Sequence, residues 1–273
     1  MELWQDQGIL LGVKPHGENG AIVSLLTQGQ GRHAGYVRGT HGTKLRGVLE
    51  CGNLLDVHWS SRTTESLGTF ALELVSNFSA RVLSDPLRLL ALQAACGLCD
   101  AALPEREAHA GLFHGLLALF SALETDVWAP AYIMWEMAFL RELGFSLDLR
   151  SCAGGGSVQD LAYVSPKTGR AVSTQAGEPY KDRLLPLADF LTPQGGAGAP
   201  AEVLKGLEMT GYFLEHWAFI HHMKGTPEAR LRLEERFRLQ YGHSFAKEEE
   251  GRPHAPDRQI FGRAGIQKNH GAG

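Results

Sequence analysis

Near residue 80 the spacing of apolar side chains changes from every second residue to about every 3.6, and no single regular architecture accommodates both periods. The change predicts an α+β chain with strands before the switch and helices after it. Before it, segments 8–14, 21–27, 32–38, 53–59 and 69–75 read as short strands, bounded by turn residues such as Asn19-Gly20 and the run Gln28-Gly29-Gln30-Gly31. Five such strands suit a small closed barrel, either an OB-fold or an SH3-like one, and periodicity does not separate the two.

After the switch, Ser84-Asp85-Pro86 offers an N-cap and a proline at the first helical position, followed by the stripe Leu87, Leu90, Ala94 and Leu98. Pro104 ends that helix. Segment 107–123 predicts a second helix, and 130–143 a third that is apolar on nearly every side and therefore central and buried, closed by Gly144. Segment 148–186 breaks the helical pattern with Gly154-Gly155-Gly156 and two strand-like pieces, 162–165 and 170–173, joined by Pro166-Lys167-Thr168-Gly169, which predicts a small β-hairpin insertion. A long amphipathic helix over 201–223 and a last one from Thr226-Pro227 to about Tyr241 follow. The expected division is a barrel over 1–80, a helical domain over 81–245 and a disordered tail over 246–273, where Glu248-Glu249-Glu250, prolines and glycines leave little to bury.

Charge is distributed unevenly. The chain carries a formal net charge of −4, yet no Asp or Glu occurs between Glu18 and Glu50, while Arg32, Arg38, Lys44 and Arg46 do. A cationic band interleaved with glycines, with Tyr36 inside it and Trp59 and Arg62 following, has the composition of a nucleic-acid groove. Arg32, Arg38, Lys44, Arg46 and Arg62 are the candidate phosphate contacts, and Tyr36 or Trp59 the candidate stacking platforms. The plainer alternatives are a glycine-rich hairpin with solvated arginines and aromatic residues buried in the barrel. Because the whole chain is acidic, binding must be confined to a patch.

Enzymatic motifs are missing. No Gly-Lys pair exists, so there is no Walker A loop, and neither Gly-x-Ser-x-Gly nor His-Glu-x-x-His occurs. Gly29-x-Gly31-x-x-Ala34 matches a loose dinucleotide fingerprint, but no helix follows it to hold a pyrophosphate. Cys96-Gly-Leu-Cys99 has the spacing of half a zinc site and reads as core packing in an apolar helix, adjacent His221 and His222 point in different directions, and no cofactor or metal is expected. Arg230, Arg232, Arg236 and Arg238 alternate with Glu228, Glu234 and Glu235, which predicts ion pairs four residues apart on a helix surface, with a phosphate or acidic-peptide contact as the alternative. Four cysteines are too few for a disulfide framework, and neither a leader nor a spanning segment is apparent, so a cytoplasmic protein without membrane contact is expected.

With these elements placed, the chain resembles the RecO family of bacterial recombination mediators. The resemblance lies in Met1-Glu-Leu-Trp4, Gln7-Gly-Ile-Leu-Leu11, Gly17-Glu-Asn-Gly-Ala-Ile-Val23, the run from Thr27 to Gly39, Leu67-Gly-Thr69, Tyr132-Ile-Met-Trp-Glu136, Leu143-Gly-Phe-Ser-Leu-Asp-Leu149, Cys152 and Tyr163-Val-Ser-Pro-Lys-Thr-Gly-Arg170. It implies an N-terminal OB-fold barrel followed by a helical domain with a zinc-finger-like insertion. It also implies a nucleoid-associated protein that binds single- and double-stranded DNA, anneals strands, works with RecR, contacts the acidic tail of single-stranded DNA-binding protein and so helps to load RecA. Many family members hold zinc with four cysteines in the insertion. Here only Cys152 stands, with Ser173 and Gln175 where a second pair is expected, so a zinc-free insertion is expected. An RNA-binding OB protein of the translation machinery and a structural adaptor that never touches nucleic acid are the rival readings.

Overall fold

The computed structural model describes residues 2–40, 42–63 and 65–250, the side chains of 43, 44 and 243–250 excepted. The N-terminal domain is a barrel of β1 (Glu2–Pro15), β2 (Gly20–Thr27), β3 (Gly31–Arg38), β4 (Leu54–Ser61) and β5 (Thr69–Ser76), with a short helix α1 (Thr43–Arg46) between β3 and β4. The strands close in the order β1-β2-β3-β5-β4, and β3 meets β5 in parallel at Tyr36 and Thr69. That order is the OB one, which separates the two barrels that periodicity leaves together. Leu10, Val23, Leu25, Val37, Leu55, Val57, Trp59 and Phe70 fill the interior.

β1 begins at Glu2, earlier than the expected residue 8. Its polar first half hides the strand in sequence, yet each residue from Glu2 to Ile9 is in register with β4. Ile9 and Leu11, two residues apart, face away from the barrel interior, and the bulge between Leu10 and Gly12 then shifts the alternation so that Val13 packs against the barrel core and Lys14 faces out. With Leu26 and Leu54, Ile9 and Leu11 join the core of the helical domain.

A one-turn helix α2 (Phe78–Arg81) leads into α3 (Pro86–Ala102), α4 (Ala110–Ala122) and α5 (Trp128–Glu142). Asp85 caps α3, accepting from Leu87 N at 3.0 Å and Arg88 N at 3.2 Å, with Pro86 at the first position. Such a cap is worth ~1 kcal/mol. The turn after α3 packs so tightly on the barrel that a Cβ at Gly31, whose φ is +70°, would sit 1.9 Å from the Glu107 carbonyl oxygen. Only glycine fits there. Ile133, Trp135, Phe139 and Leu140 of α5 are buried as expected, but Met134 is 59% exposed, so α5 is open on one side.

The insertion is a three-stranded sheet: β6 (Leu161–Val164) pairs with β7 (Ala171–Ser173), as the hairpin reading requires, and with β8 (Leu185–Pro186), which follows the short helix α6 (Thr174–Gly177). α7 (Pro200–Phe213) is shorter than the expected 201–223, because it passes into a π turn over Leu214–Ala218. α8 (Glu228–Glu250) runs past the expected end near Tyr241 and takes in 246–250, which sequence assigned to the tail; the charged run there continues a helix. Residues 251–273 lie outside the described residues.

Arg230 of α8 departs most from the expected surface ion pairs. It is wholly buried and bonds Glu136 of α5, also wholly buried, through Nε and Nη2; Nη2 also donates to Leu207 O at 2.7 Å and Nη1 to Glu234 at 3.1 Å. Tyr132 and Thr210 hydroxyls donate to the same Glu136 carboxylate at 2.7 and 2.5 Å. The surface pairs do exist further along, at Glu228–Arg232 and Glu234–Arg238. No helix among the described residues is long and apolar enough to cross a membrane.

Candidate nucleic-acid interface

OB barrels bind oligonucleotides on the outer face of the second and third strands and on the β1–β2 and β4–β5 loops. Here the register aligns Lys14 of β1 with Ile22 of β2, Ile22 with Tyr36 of β3, Tyr36 with Thr69 of β5, and Thr69 with Ser60 of β4. These residues form one outward row. Lys14 is exposed and Tyr36 half-buried. The Tyr36 ring lies across the backbone of Gly20, where a Cβ would come 2.0 Å from its hydroxyl, and the His16 ring stands edge-on to it at 6.1 Å. Arg38, opposite Gly20 at the end of β3, is exposed and among the described residues forms no ion pair.

Beside this row, Ser60, Ser61, Arg62, Ser66, Gly68 and Thr69 line a shallow groove of about 550 Å³. It abuts Tyr36 directly, since Tyr36 N donates to Gly68 O at 3.0 Å. Arg62 is exposed on its rim. Arg106, held at φ 64° after α3, donates to Ser66 O at 3.1 Å and ties the β4–β5 loop to the helical domain. Arg46 is exposed on α1, whose Leu45 packs against the barrel core. The Lys44 side chain lies outside the described residues.

Two sequence candidates fall elsewhere. Arg32 does not face solvent: its Nε donates to Leu103 O at 2.7 Å, and its other nitrogens stand 3.7 Å from Asp100 and 3.4 Å from Glu105. Ser24, on the neighbouring strand, bonds Asp100 at 2.6 Å. This end of the β2–β3 face is covered by the end of α3, so Arg32 holds the two domains together and leaves the interface. Trp59 is core: it is buried, stacks on Trp4 at 5.6 Å, and donates its indole N–H to Leu67 O at 3.0 Å. Lys14 and His16 are the residues that sequence reasoning missed, and counting back from the Asn19-Gly20 turn would have placed Lys14 opposite Ile22.

Farther along the same β4–β5 ladder, away from Ser60 and Thr69, the sign changes: Asp56 and Glu73 face each other directly across the two strands, both exposed. The positive potential of the outer surface is thus confined to its Lys14–Tyr36–Arg38 end.

The zinc-finger-like insertion has the wrong donors for a structural zinc ion. Cys152 Sγ accepts from Ser173 N at 3.2 Å and meets Ser173 Oγ at 3.5 Å. Burial pushes this thiol up, but hydrogen bonds from Ser173 and from the Gly156 and Gly154 amides bring it down to about 7. One sulfur and one hydroxyl cannot make a tetrahedral zinc site. Among the described residues no cluster of His, Cys, Asp and Glu is arranged to hold a metal. Cys96 and Cys99 are buried in α3, with burial raising the Cys99 thiol, and His221 and His222 are exposed beyond the π turn.

Comparison with known proteins agrees with this architecture. Residues 1–78 match the family described as Recombination protein O N terminal, and residues 83–224 match Recombination protein O C terminal. The chain is 52% identical over 237 residues to the DNA repair protein RecO of Rhodospirillum centenum, covering 86% of this chain and 94% of that one. It is 44% identical over 242 residues to the protein of the same name from Rhodospirillum rubrum, covering 86% and 96%. A third relative, from Jannaschia sp., is 46% identical over 231 residues, covering 84% and 94%.

Proposed function

The chain belongs to the recombination protein O family, and on that premise we propose that it is a non-enzymatic mediator of DNA repair. It binds single- and double-stranded DNA without sequence specificity, anneals complementary strands, and acts with RecR to load RecA onto DNA covered by single-stranded DNA-binding protein.

The observation that carries this reading is the outward row through Lys14, Ile22 and Tyr36, with Arg38 at its edge and Arg62 on the adjoining groove. Cations at this spacing neutralise phosphates, and an aromatic face accepts any base, so affinity without specificity is expected. Two strands held on one cationic surface repel each other less and pair when complementary, with no nucleotide hydrolysis required. Arg46 on α1 extends the track.

For the acidic tail of single-stranded DNA-binding protein, the open side of α5 is the best-suited surface. Met134, Met137, Leu149 and Phe190 line a groove of about 750 Å³ together with Arg141, Arg150 and Asp148, whose carboxylate is paired with Arg170 at 3.6 Å. An apolar lining with two guanidinium groups suits a peptide that is both acidic and apolar. The partnership with RecR, and through it RecA, rests on family membership.

The test is strand annealing and DNA binding by purified protein without ATP. Arg38→Glu with Arg46→Glu should weaken DNA binding by at least about tenfold and lower the salt slope by about two, leaving thermal stability unchanged. Tyr36→Ala should cost roughly 1–3 kcal/mol of single-strand affinity. Unaltered affinity in both variants would overturn the interface, and tighter binding of RNA than of single-stranded DNA would move the assignment to an RNA-binding role.

A further inference from the structure

Between α7 and the first turns of α8 lies a cleft of about 580 Å³, with no barrel residue in its lining, formed by Glu208, Glu215, Glu234 and Glu235 together with Arg230 and Arg238. Both arginines are already engaged: Arg230 by Glu136 and Glu234, and Arg238 by Glu208 at 3.1 Å and Glu234 at 2.8 Å. Glu215 and Glu235 are exposed and, among the described residues, form no ion pair. The cleft thus carries surplus negative charge. Leu185, Tyr212 and Leu231 add apolar wall, Leu231 being half-exposed.

A second observation marks it as a binding site. Thr226, also part of the lining, is 8% exposed, and its hydroxyl has no hydrogen-bond partner among the described residues. Buried hydroxyls almost always find one, so an orphan beneath an acidic and apolar lining is expected where the ligand supplies the missing acceptor or donor.

We propose that this cleft holds the chain's own segment 258–263, Arg-Gln-Ile-Phe-Gly-Arg. Residues 251–273 contain Arg252, Arg258, Arg263 and Lys268 against the single Asp257, the sign opposite to the cleft. Within them, Ile260-Phe261 flanked by Arg258 and Arg263 matches apolar walls flanked by carboxylates. The reach is sufficient. α8 ends at Glu250, so at ~1.5 Å per residue Glu235 stands about 22 Å from its end. Eight extended residues span up to about 26–29 Å, which brings Arg258 alongside Glu235. The family-model matches end at residue 224, before α8 and the proposed segment, and none of the cleft residues belongs to the barrel interface, so the proposal stands independently of the DNA-binding one.

Disulfide trapping in the full chain tests it. With Leu231→Cys and Phe261→Cys, mild oxidation followed by mass spectrometry should reveal an intramolecular 231–261 disulfide. It should form about tenfold faster than in a control pairing Phe261→Cys with Leu3→Cys on the barrel, because docking raises the local concentration of the partner thiol. Glu215→Gln with Glu235→Gln, both exposed and harmless to folding, should slow trapping, as should high salt. Equal rates in the two pairs would overturn the proposal, and so would a disulfide between chains whose yield rises with protein concentration.

Discussion

In the helical domain Arg230 is sealed from solvent and each guanidinium nitrogen has an acceptor, whereas in the barrel His33 is also buried, among Trp4, Trp59 and Phe70, with neither ring nitrogen bonded to any of the described residues. The contrast follows from what each group can give up. A guanidinium cannot lose its charge at any relevant pH, so burying it requires a counter-charge in the core, and Glu136 supplies one from 94 residues away. An imidazole can stay neutral. Burial, with Arg106 nearby adding to it and Glu105 opposing it, lowers the His33 pKa to about 4, so only two polar nitrogens rather than an ion are desolvated.

The largest expected effect comes from breaking the paired side. Arg230→Met leaves Glu136 charged and alone in the core and should cost about 3–5 kcal/mol of stability in denaturant unfolding. Adding Glu136→Gln removes the stranded charge, keeps an acceptor oxygen for Tyr132 and turns an amide N–H toward the Thr210 hydroxyl, which can still donate to Gly206 O, and should recover much of the loss. If the double variant is no more stable than the single one, the network is not held together by charge compensation.

The unpaired side is tested by pH. Unfolded His33 takes up its proton as pH falls through about 6.5, while the folded residue resists until about 4, so the unfolded chain binds more protons between these values and stability drops across that window. The contribution is at most about 3 kcal/mol. His33→Phe should remove that part of the slope, leaving the carboxylates' share at lower pH. An identical slope in both proteins would mean that His33 already has a partner.

Neither group was legible in the sequence, for the same reason. Which polar residue is buried depends on contacts between elements far apart in the chain, whereas strand and helix periods are local. Hence the five strands, the Asp85 cap and the hairpin of the insertion could be read directly. The end of α7 could not, because a π turn leaves no period of its own, and nor could the end of α8, where charge was read as tail although between Tyr241 and Gly251 only Gly242 disfavours a helix and no proline intervenes. The candidate interface was half legible. The acid-free band around Tyr36 and Arg38 is a property of composition, but Lys14 enters only through strand register, and the covering of Arg32 depends on where α3 ends.

That last point gives the smallest expected effect and separates two arginines of one strand. Arg32 and Arg38 are an even number of residues apart on β3, so both leave the same face, yet the end of α3 lies over one and not the other. Arg32→Ala should loosen the packing of barrel on helices, costing ~1–2 kcal/mol of stability for the loss of a charge-assisted hydrogen bond, with DNA affinity at fixed salt preserved. Arg38→Ala should do the reverse, leaving the melting temperature unchanged while removing about one unit of salt slope. Matched thermal scans and salt titrations of the two variants decide the matter. If Arg32→Ala weakens DNA binding as much as Arg38→Ala does while its stability is untouched, the bonds from Arg32 to Leu103 and its neighbours must yield when DNA arrives, and the covered end of the face belongs to the interface after all.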